Sequence, residues 1–286
     1  TEIYTLSLHD ALPISSPGYP PHDFGPRIDW AAMPVKDNEW RWQLHRMYSW
    51  NDLARAWWHT GDDRYAQAWA DQFLDWYRDN PRDAAHDYAW RTIEAGIRGR
   101  AWTEVFQLLL DSPAMTPQVL VTFIASAIDH IDYLHAELAV NNHVSNWRLM
   151  EAEGMTFLAM AFNELRGAEA WIAAGAQRLN DEMGRQIRPD GMHFEQCLNY
   201  HTGSIRWFER TAELARLNGR NNLFPPAYHQ GLEKMAQVVM VLGLPDGQTA
   251  QFGDDHSGID VRRLLLQWAP IFDRKDFLYV GSGGAQ

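Results

Sequence analysis

The stretch that decides the fold class is WQLHRMYSWNDLARAWWHTGDDRYAQAWADQFLDWYRDN, residues 42–80. Its apolar residues recur at the three- and four-residue spacing of a helix over Trp42–His59. A Gly-Asp-Asp turn then interrupts the pattern, which resumes over Arg64–Arg78 and stops at Asn80-Pro81. Two helices joined by so short a connection form an antiparallel hairpin.

The helical pattern continues downstream, with no segment that alternates long enough to predict a sheet. Seven further helices are predicted between Gly, Pro, Asn and Asp punctuation: Tyr88–Leu110, Pro117–Leu138, Ser145–Leu165, Ala168–Ile187, Asn199–Leu217, Ala227–Leu242 and Val261–Trp268. No fixed repeat period is present, which disfavours a regular solenoid. Because several helices carry polar and aromatic residues beside apolar ones, as helices lining a cleft do, a ring of hairpins is favoured over a bundle.

Composition and charge exclude several classes of protein. The 286 residues are 46% apolar and 22% charged, which is typical of a globular protein. No window of about 18 residues is apolar throughout, so no membrane span is predicted. The net charge of −12 argues against nucleic acid as a partner, and the single Cys197 has no cysteine with which to pair. Among the 14 tryptophans we expect most rings in the core, with the others available to stack on sugars.

Both ends of the sequence are set apart from the helical region. Residues 1–15, TEIYTLSLHDALPIS, lack the basic and apolar regions of a signal peptide and resemble translated sequencing-adapter sequence. We therefore treat them as a non-native segment. At the other end, Phe277–Val280 is typical of a strand and precedes a Gly-rich run, so residues 271–286 are expected to be a linker or the start of a further domain.

The first motif of interest is NNHVSN, residues 141–146, which has more polar side chains than a loop requires. Its last two positions are Ser and Asn, preferred N-cap residues that are expected to cap the helix that follows. Capping does not account for His143 and the pair of asparagines, Asn141 and Asn142. Trp147, the first ring of that helix, is a candidate sugar contact.

The second motif, PDGMHFEQCLNYH, residues 189–201, gathers two histidines, a carboxylate and a tyrosine. Pro-Asp-Gly predicts a turn. The alternation after it predicts that His193 and Glu195 lie on one side, with Phe194 opposite. Tyr200 and His201 open the next predicted helix, where His201 is equally well explained by a structural role.

The third motif is WRTIEAGIR, residues 90–98, in which helical spacing aligns Arg91, Glu94 and Arg98. Glu94 and Arg98 are four residues apart, so they are either a surface ion pair, which contributes on the order of a few tenths of a kcal/mol, or part of a site. A further run, FGDDHSG, residues 252–258, lacks the spacing of an EF-hand and favours a structural turn.

The sequence contains no phosphate-binding loop, dinucleotide fingerprint, nucleophile elbow or His-Glu-x-x-His motif. The sequence therefore lacks the motifs that usually indicate phosphoryl transfer, hydride transfer, and serine or zinc hydrolysis. The remaining Asn, His, Tyr and Arg residues on Trp-rich helices suit chemistry on an acidic sugar. Six arginines are candidates for a locally positive cleft: Arg91, Arg98, Arg148, Arg185, Arg188 and Arg206.

Taken in order, WRTIEAGIR, NNHVSN, RQIRPDGMHFEQCLNYH and FGDDHSG resemble the heparinase II/III-like and alginate lyase families of polysaccharide lyases. The resemblance covers about residues 40–260, and the combination of motifs is far more specific than any one of them. It implies an all-α domain, an incomplete α/α toroid over residues 16–270. In that family the toroid precedes an antiparallel β-sandwich domain, which is missing from this chain, so residues 271–286 are its start or a linker.

The resemblance implies β-elimination on a uronate. By that resemblance Asn142 and His143 neutralise the uronate carboxylate, with Arg98 assisting. Tyr200 is the acid and base, and His143 is the alternative base where the elimination is anti. The residues implied as walls or substrate contacts are Arg98, Glu94, His193, Glu195, Trp147 and His201.

Two other functions stay open at this point. The first is a toroidal glycoside hydrolase that pairs Glu195 with Asp254 or Asp255. The second is a sugar-binding helical module without turnover. The implied partner is an acidic polysaccharide or oligosaccharide, with no nucleic acid and no membrane. No cofactor or metal is expected in this chain, although a metal in the β domain fits the family. A periplasmic or secreted location is favoured over a cytoplasmic one, and the polymer and the oligomeric state are left open.

Overall fold

The computed structural model describes Tyr19 and residues 22–25, 27–253, 255 and 258–285. Within these ranges the chain forms eleven α-helices and two short 3-10 helices, Ala84–His86 and Asn221–Leu223, and the pairing between strands is limited to two isolated bridges. The all-α prediction is therefore confirmed for the described residues. The α-helices are α1 (Asn38–Leu44), α2 (Tyr48–Thr60), α3 (Asp63–Asp79), α4 (Thr92–Leu109), α5 (Pro117–Val140), α6 (Trp147–Ala161), α7 (Ala168–Gln186), α8 (Leu198–Leu217), α9 (Pro226–Val241), α10 (Val261–Phe272) and α11 (Lys275–Gly281).

The chain divides into two compact units. The first unit contains the residues up to Val140 together with Phe157–Trp171, and the second contains Asn141–Thr156 and the residues from Ile172 onward. The WRTIEAGIR motif lies in the first unit. The NNHVSN and PDGMHFEQCLNYH motifs both lie in the second.

Aromatic rings fill the core of the first unit. Trp50 stacks on Trp102 with ring centroids 5.3 Å apart, and Trp69 stacks on Phe73 at 5.5 Å. Eight of the 14 tryptophans of the chain are buried, which confirms the expectation that most of these rings serve the core. Each buried ring removes a large apolar area from water, so these contacts contribute much of the stability of the hairpins.

The helix predicted over Trp42–His59 is in fact two helices, because Met47 interrupts it. Met47 has a φ of +56°, in the left-handed region that a side chain with a Cβ seldom adopts. The side chain of Met47 is nevertheless only 3% exposed, so burial of its thioether offsets the backbone strain. The second helix of the hairpin agrees with the prediction, since α3 begins and ends within one residue of Arg64–Arg78.

The strand predicted at Phe277–Val280 is wrong, because these residues lie in α11. Phe277 and Gly281, four residues apart, are both buried, which is the helical period and not the alternation of a strand. A Cβ at Gly281 would lie 3.1 Å from the carbonyl oxygen of Arg262, so α11 approaches the backbone of α10 very closely. An apolar run of four residues fits either structure, and packing on α10 decides for the helix.

Candidate active site

The loop NNHVSN presents two of its candidate side chains to solvent. Asn142 and His143 are both exposed, and Ser145 Oγ accepts a hydrogen bond from the backbone N–H of Trp147 at 3.2 Å. The predicted cap is therefore confirmed at Ser145. His143 Nδ1 is hydrogen-bonded to Asn141 Oδ1. Since an amide oxygen only accepts, Nδ1 carries the proton in this arrangement, and Nε2 of the neutral ring keeps its lone pair.

The backbone of this loop is held by the last turn of α7. Arg185 Nη2 donates to the carbonyl oxygen of Asn142 at 2.7 Å, and Gln186 Nε2 donates to that of Ser145 at 2.9 Å. The buried carboxylate of Glu182 holds both donors, at 2.7 Å from Arg185 Nη1 and 2.8 Å from Gln186 Nε2. Arg185 and Gln186 therefore hold the loop directly, and Glu182, three and four residues before them in α7, holds these two side chains in place.

Sequence reasoning did not identify Glu182 and Gln186 as supports of the loop, and it proposed Arg185 only as a cation for a cleft. The available signal was the i, i+3 and i, i+4 spacing of Glu182, Arg185 and Gln186 at the end of a predicted helix. The same spacing is common on exposed helix surfaces. Only the structure shows that Glu182 and Gln186 are buried.

A chain of buried hydrogen bonds continues from Gln186 to the PDGMHFEQCLNYH motif. The ring nitrogen His193 Nε2 bonds Gln186 Oε1 at 2.9 Å, and the backbone N–H of His193 donates to His201 Nδ1 at 3.2 Å. His201 Nε2 in turn bonds the carbonyl oxygen of Met235 in α9 at 2.9 Å. The loop of Asn142 and His143 is thus connected, through side chains of the second unit, to the start of α8 and to α9.

These partners determine the protonation of both buried histidines. His201 Nδ1 accepts a hydrogen bond, so Nε2 is the donor to Met235, and the ring is neutral. Burial, and then the neighbouring His201, lowers the pKa of His193 to about 4. Burial also lowers the pKa of His201. Two neutral rings therefore act as fixed hydrogen-bonding connectors. These contacts fit the structural role considered for His201, and substrate contact by His201 stays a prediction.

Residues 193–196 form a turn, and the predicted placement of His193 and Glu195 on one side is not observed. The backbone N–H of Gln196 donates to the carbonyl oxygen of His193 at 3.0 Å, and the N–H of Glu195 faces His193 Nδ1 at 3.4 Å. His193 is buried while Glu195 is half-buried, so the two do not share an open face. Glu195 Oε2 instead accepts from Asn146 Nδ2 at 3.3 Å, a second link to the NNHVSN loop.

Tyr200 lies in the first turn of α8, next to His201. The helix begins at Leu198, which is buried with His201, whereas Tyr200 is half-buried. Successive helix positions point about 100° apart, so anchoring one residue inward directs its neighbour toward the edge of the helix. The buried His201 therefore fixes the rotation of the helix that carries Tyr200. A catalytic role for Tyr200 stays a prediction.

Arg98 and Glu94 are core residues of the first unit, and the interpretation as a surface ion pair is wrong. Both side chains are fully buried. Arg98 donates to His130 Nε2 at 2.9 Å and to the carbonyl oxygen of His45 at 3.1 Å, and its guanidinium lies 4.8 Å from the Trp76 ring centroid. Burial lowers its pKa.

Glu94 pairs with Arg46 at 2.9 Å and with Arg91 at 3.2 Å, and burial raises its pKa. Because Glu94 and Arg98 have no exposed area, the structure offers no surface on them for a sugar. Substrate contact by either residue stays a prediction. Trp147, by contrast, is 37% exposed, and its role as a sugar contact stays a prediction.

The carboxylates considered for hydrolysis are described only in part. Asp254 lies outside the described residues, and Asp255 is half-buried. Among the described residues, no group of three His, Cys, Asp or Glu side chains is arranged to hold a metal ion. None of the helices described is long and apolar enough to cross a membrane.

The chain is similar to known proteins over most of its length. Residues 8–279 match the family model described as Heparinase II/III N-terminus, a match that extends into both segments 1–15 and 271–286. Heparin-sulfate lyases of Pedobacter heparinus and Bacteroides stercoris are 34% identical to the chain over 275 residues and 31% identical over 294 residues. Each alignment covers 94% of this chain but only 41% and 43% of the relative. The chain thus spans less than half the length of these relatives.

Solved structures agree with the sequence matches. The crystal structure of heparan sulfate lyase from Pedobacter heparinus superposes with a TM-score of 0.79 at 34% identity, covering 98% of this chain and 44% of that one. An alginate lyase from Bacteroides ovatus superposes with a TM-score of 0.64 at 15% identity, over 86% of this chain and 70% of that one, and shows the fold alone. These likenesses confirm the predicted fold class.

Proposed function

The chain belongs to the Heparinase II/III N-terminus family, and from this premise we propose that it carries catalytic groups of a polysaccharide lyase acting on heparan-like, uronate-containing chains. The observation that carries the proposal is the hydrogen-bonded support of the NNHVSN loop, which holds Asn142 and His143 at the surface of the second unit. A fixed backbone beneath exposed amide and imidazole groups is what preorganised binding of a carboxylate requires. The names of the relatives favour a heparan-like substrate over alginate.

The reaction breaks the C5–H and C4–O bonds of a uronate. A base takes the C5 proton, the electrons of that bond form the C4=C5 double bond, and the C4–O electron pair leaves on the glycosidic oxygen, which takes a proton. The obstacle is that C5 lies beside an anionic carboxylate, so negative charge must build up next to existing charge. Asn142, as an amide donor, and His143 are assigned to bind that carboxylate and stabilise the charge.

Two proton routes follow from these residues. In the syn route the Tyr200 phenolate removes the C5 proton, and the resulting phenol protonates the leaving oxygen on the same face. In the anti route His143 Nε2 removes the proton and Tyr200 protonates the leaving oxygen. The contact between Asn141 and His143 supports the anti route, because it keeps the lone pair on Nε2.

The proposal is tested by the ultraviolet absorbance of the unsaturated uronate, with heparan sulfate, heparin and alginate as substrates. Both the purified chain and a chimera, in which it replaces the matching part of the Pedobacter heparinus lyase, are assayed. We expect absorbance with heparan sulfate, lowered at least about 100-fold by Tyr200→Phe and by His143→Ala. New reducing ends without absorbance, lost on Glu195→Gln, would establish hydrolysis instead. Absence of product from both proteins on all three polymers would contradict the proposal.

A further inference from the structure

A cavity of about 610 Å³ lies in the second unit, outside the NNHVSN loop. Its lining comes from the turn after α7, from Gln196, from α9 and from Phe252. A volume of this size falls in the range of ligand pockets, about 300–1,000 Å³. None of Asn142, His143 and Tyr200 lines it, so the reacting groups proposed above do not account for this space.

The Pro-Asp-Gly turn brings two cations to the same cavity. The turn is closed by hydrogen bonds between Arg188 and Met192 and between Gly191 and Arg188, of 2.9 Å and 2.8 Å. Gly191 has a φ of +92°, and a Cβ there would lie 2.7 Å from the carbonyl oxygen of Lys234. Only glycine permits this approach, so the turn rests directly on α9 and sets Arg188 and Lys234 on one cavity.

The charge in the cavity is opposite to that of the chain. Arg188 and Lys234 are both exposed, and neither forms an ion pair with any described residue. The acid of the lining is Asp190, whose Oδ1 already accepts from the backbone N–H of Met192 at 2.9 Å. Two cations therefore face one partly engaged carboxylate in a chain of net charge −12. A locally positive pocket in an acidic protein indicates an anionic ligand.

Gln196 adds a strained polar group to the same wall. Its φ of +55° is in the left-handed region, which a residue with a side chain seldom occupies. With its amide oriented by hydrogen bonding, the side-chain oxygen accepts from Arg188 Nη2 at 2.8 Å. This hydrogen bond restricts the position of the Arg188 guanidinium. The amide nitrogen of Gln196 stays a donor for another partner.

Much of the remaining lining is apolar. Phe252 is 39% exposed at the cavity, and Val238 and Val241 of α9 continue the surface together with Leu242, the residue that follows the helix. An aromatic ring beside cationic and amide donors matches a sugar, whose C–H face packs on the ring while charged substituents meet the cations.

We propose that this cavity, between Arg188, Lys234 and Phe252, binds an anionic sugar unit of the polysaccharide, apart from the unit that undergoes elimination. The identity of the polymer rests on the proposed function, whereas the site itself rests on the cavity and its charge. The carboxylate of a uronate and a sulfate ester share the chemistry that Arg188 and Lys234 recognise.

The test measures binding by calorimetry in the Tyr200→Phe background, so that turnover does not enter. The probes are a sulfated heparan hexasaccharide and the unsulfated glucuronate–N-acetylglucosamine hexasaccharide, each at several salt concentrations. We expect Arg188→Ala and Lys234→Ala each to weaken binding about tenfold and to reduce its salt dependence. Lys275→Ala, which removes an exposed cation of α11, should leave both unchanged.

The two probes identify the anionic group. Losses confined to the sulfated probe indicate a sulfate, and losses with both probes indicate the carboxylate. If neither probe binds, or if Arg188→Ala and Lys234→Ala bind like the Tyr200→Phe parent, the proposal is overturned. Unchanged thermal unfolding midpoints will show that the variants are folded. Affinity reports on this site and product absorbance on the lyase, so failure of one proposal is distinguishable from failure of the other.

Discussion

The backbone N–H of His193 donates to Nδ1 of His201 across 3.2 Å, inside a site where both rings are fully buried. This bond connects the turn after α7 to the first turn of α8. It requires that His201 Nδ1 carry no proton, so the joint between the two elements depends on the neutral form of the ring. The support beneath the candidate active site is therefore sensitive to acid.

Stability should fall as the pH is lowered from about 6.5 to about 4. An unfolded histidine takes up its proton near pH 6.5, whereas burial holds the pKa of His193 at about 4. Between these values the unfolded state binds more protons, so the free energy of unfolding decreases by up to about 1.4 kcal/mol per pH unit for this one residue. Urea unfolding at a series of pH values measures the slope.

The buried His45, with a pKa of about 3, adds to the same slope in the first unit. His193→Gln should reduce the slope, and His229→Ala, at an exposed position, should not change it. A free energy of unfolding that is constant over this interval would show that the buried histidines do not bind protons as described.

Arg185→Ala should lower kcat about tenfold or more, because it releases the carbonyl oxygen of Asn142 and so loosens the loop. The matched control is Arg178→Ala. Arg178 pairs with the same Glu182 carboxylate, at 3.4 Å, and stands seven positions, about two helical turns, before Arg185 in α7. Steady-state kinetics on heparan sulfate compare the two variants. Equal effects would assign the loss to the charge on Glu182 and not to the loop.

Gly191→Ala should destabilise the second unit by about 2–3 kcal/mol. The new Cβ would lie 2.7 Å from the carbonyl oxygen of Lys234, and the φ of +92° is strained for alanine. Gly184→Ala is the control within α7, where a Cβ meets no atom within 4 Å, and we expect a gain of up to about 1 kcal/mol from helix propensity. Thermal and urea unfolding of both variants measure the difference, and similar stabilities would contradict the described packing.

Asn141→Ala should discriminate between the two proton routes. In glucuronate the C5 proton and the C4 oxygen are syn, and in its C5 epimer iduronate they are anti. If His143 is the base only in the anti case, loss of the Asn141 contact lowers kcat about tenfold for iduronate and leaves glucuronate unchanged. Defined oligosaccharides with one or the other uronate provide the assay. An equal loss on both epimers would contradict a base role confined to the anti reaction.

Local patterns in the sequence were enough to predict several elements. Helical spacing predicts α3, α7, α8 and α9 within about two residues at each end, because each has continuous periodicity bounded by a turn residue. The NNHVSN and PDGMHFEQCLNYH motifs predict where polar chemistry gathers. The Ser145 cap and the Pro-Asp-Gly turn follow from short-range hydrogen bonding, which depends on neighbours in the chain.

Tertiary structure decided what those local patterns left open. Helical spacing left open whether Glu94 and Arg98 are a surface pair or part of a site, and packing against Trp76 and Trp90 buries Arg98 completely. Spacing along a helix indicates which residues share a face, but not what covers that face. The apolar run at Phe277 likewise fits a strand or a helix by its local pattern. It forms a helix, α11, that packs on α10.

The sequence by itself determined the all-α class, the positions of most helices and the motifs that contain the candidate site residues. Only the tertiary structure decided that Gln186, His193 and His201 form one buried chain beneath the loop of Asn142 and His143. It also decided that Arg188 and Lys234, 46 positions apart by their numbering, share a cavity. The reason is physical: helix periodicity and capping arise between near neighbours, whereas burial and convergence of polar groups depend on which distant segments pack together.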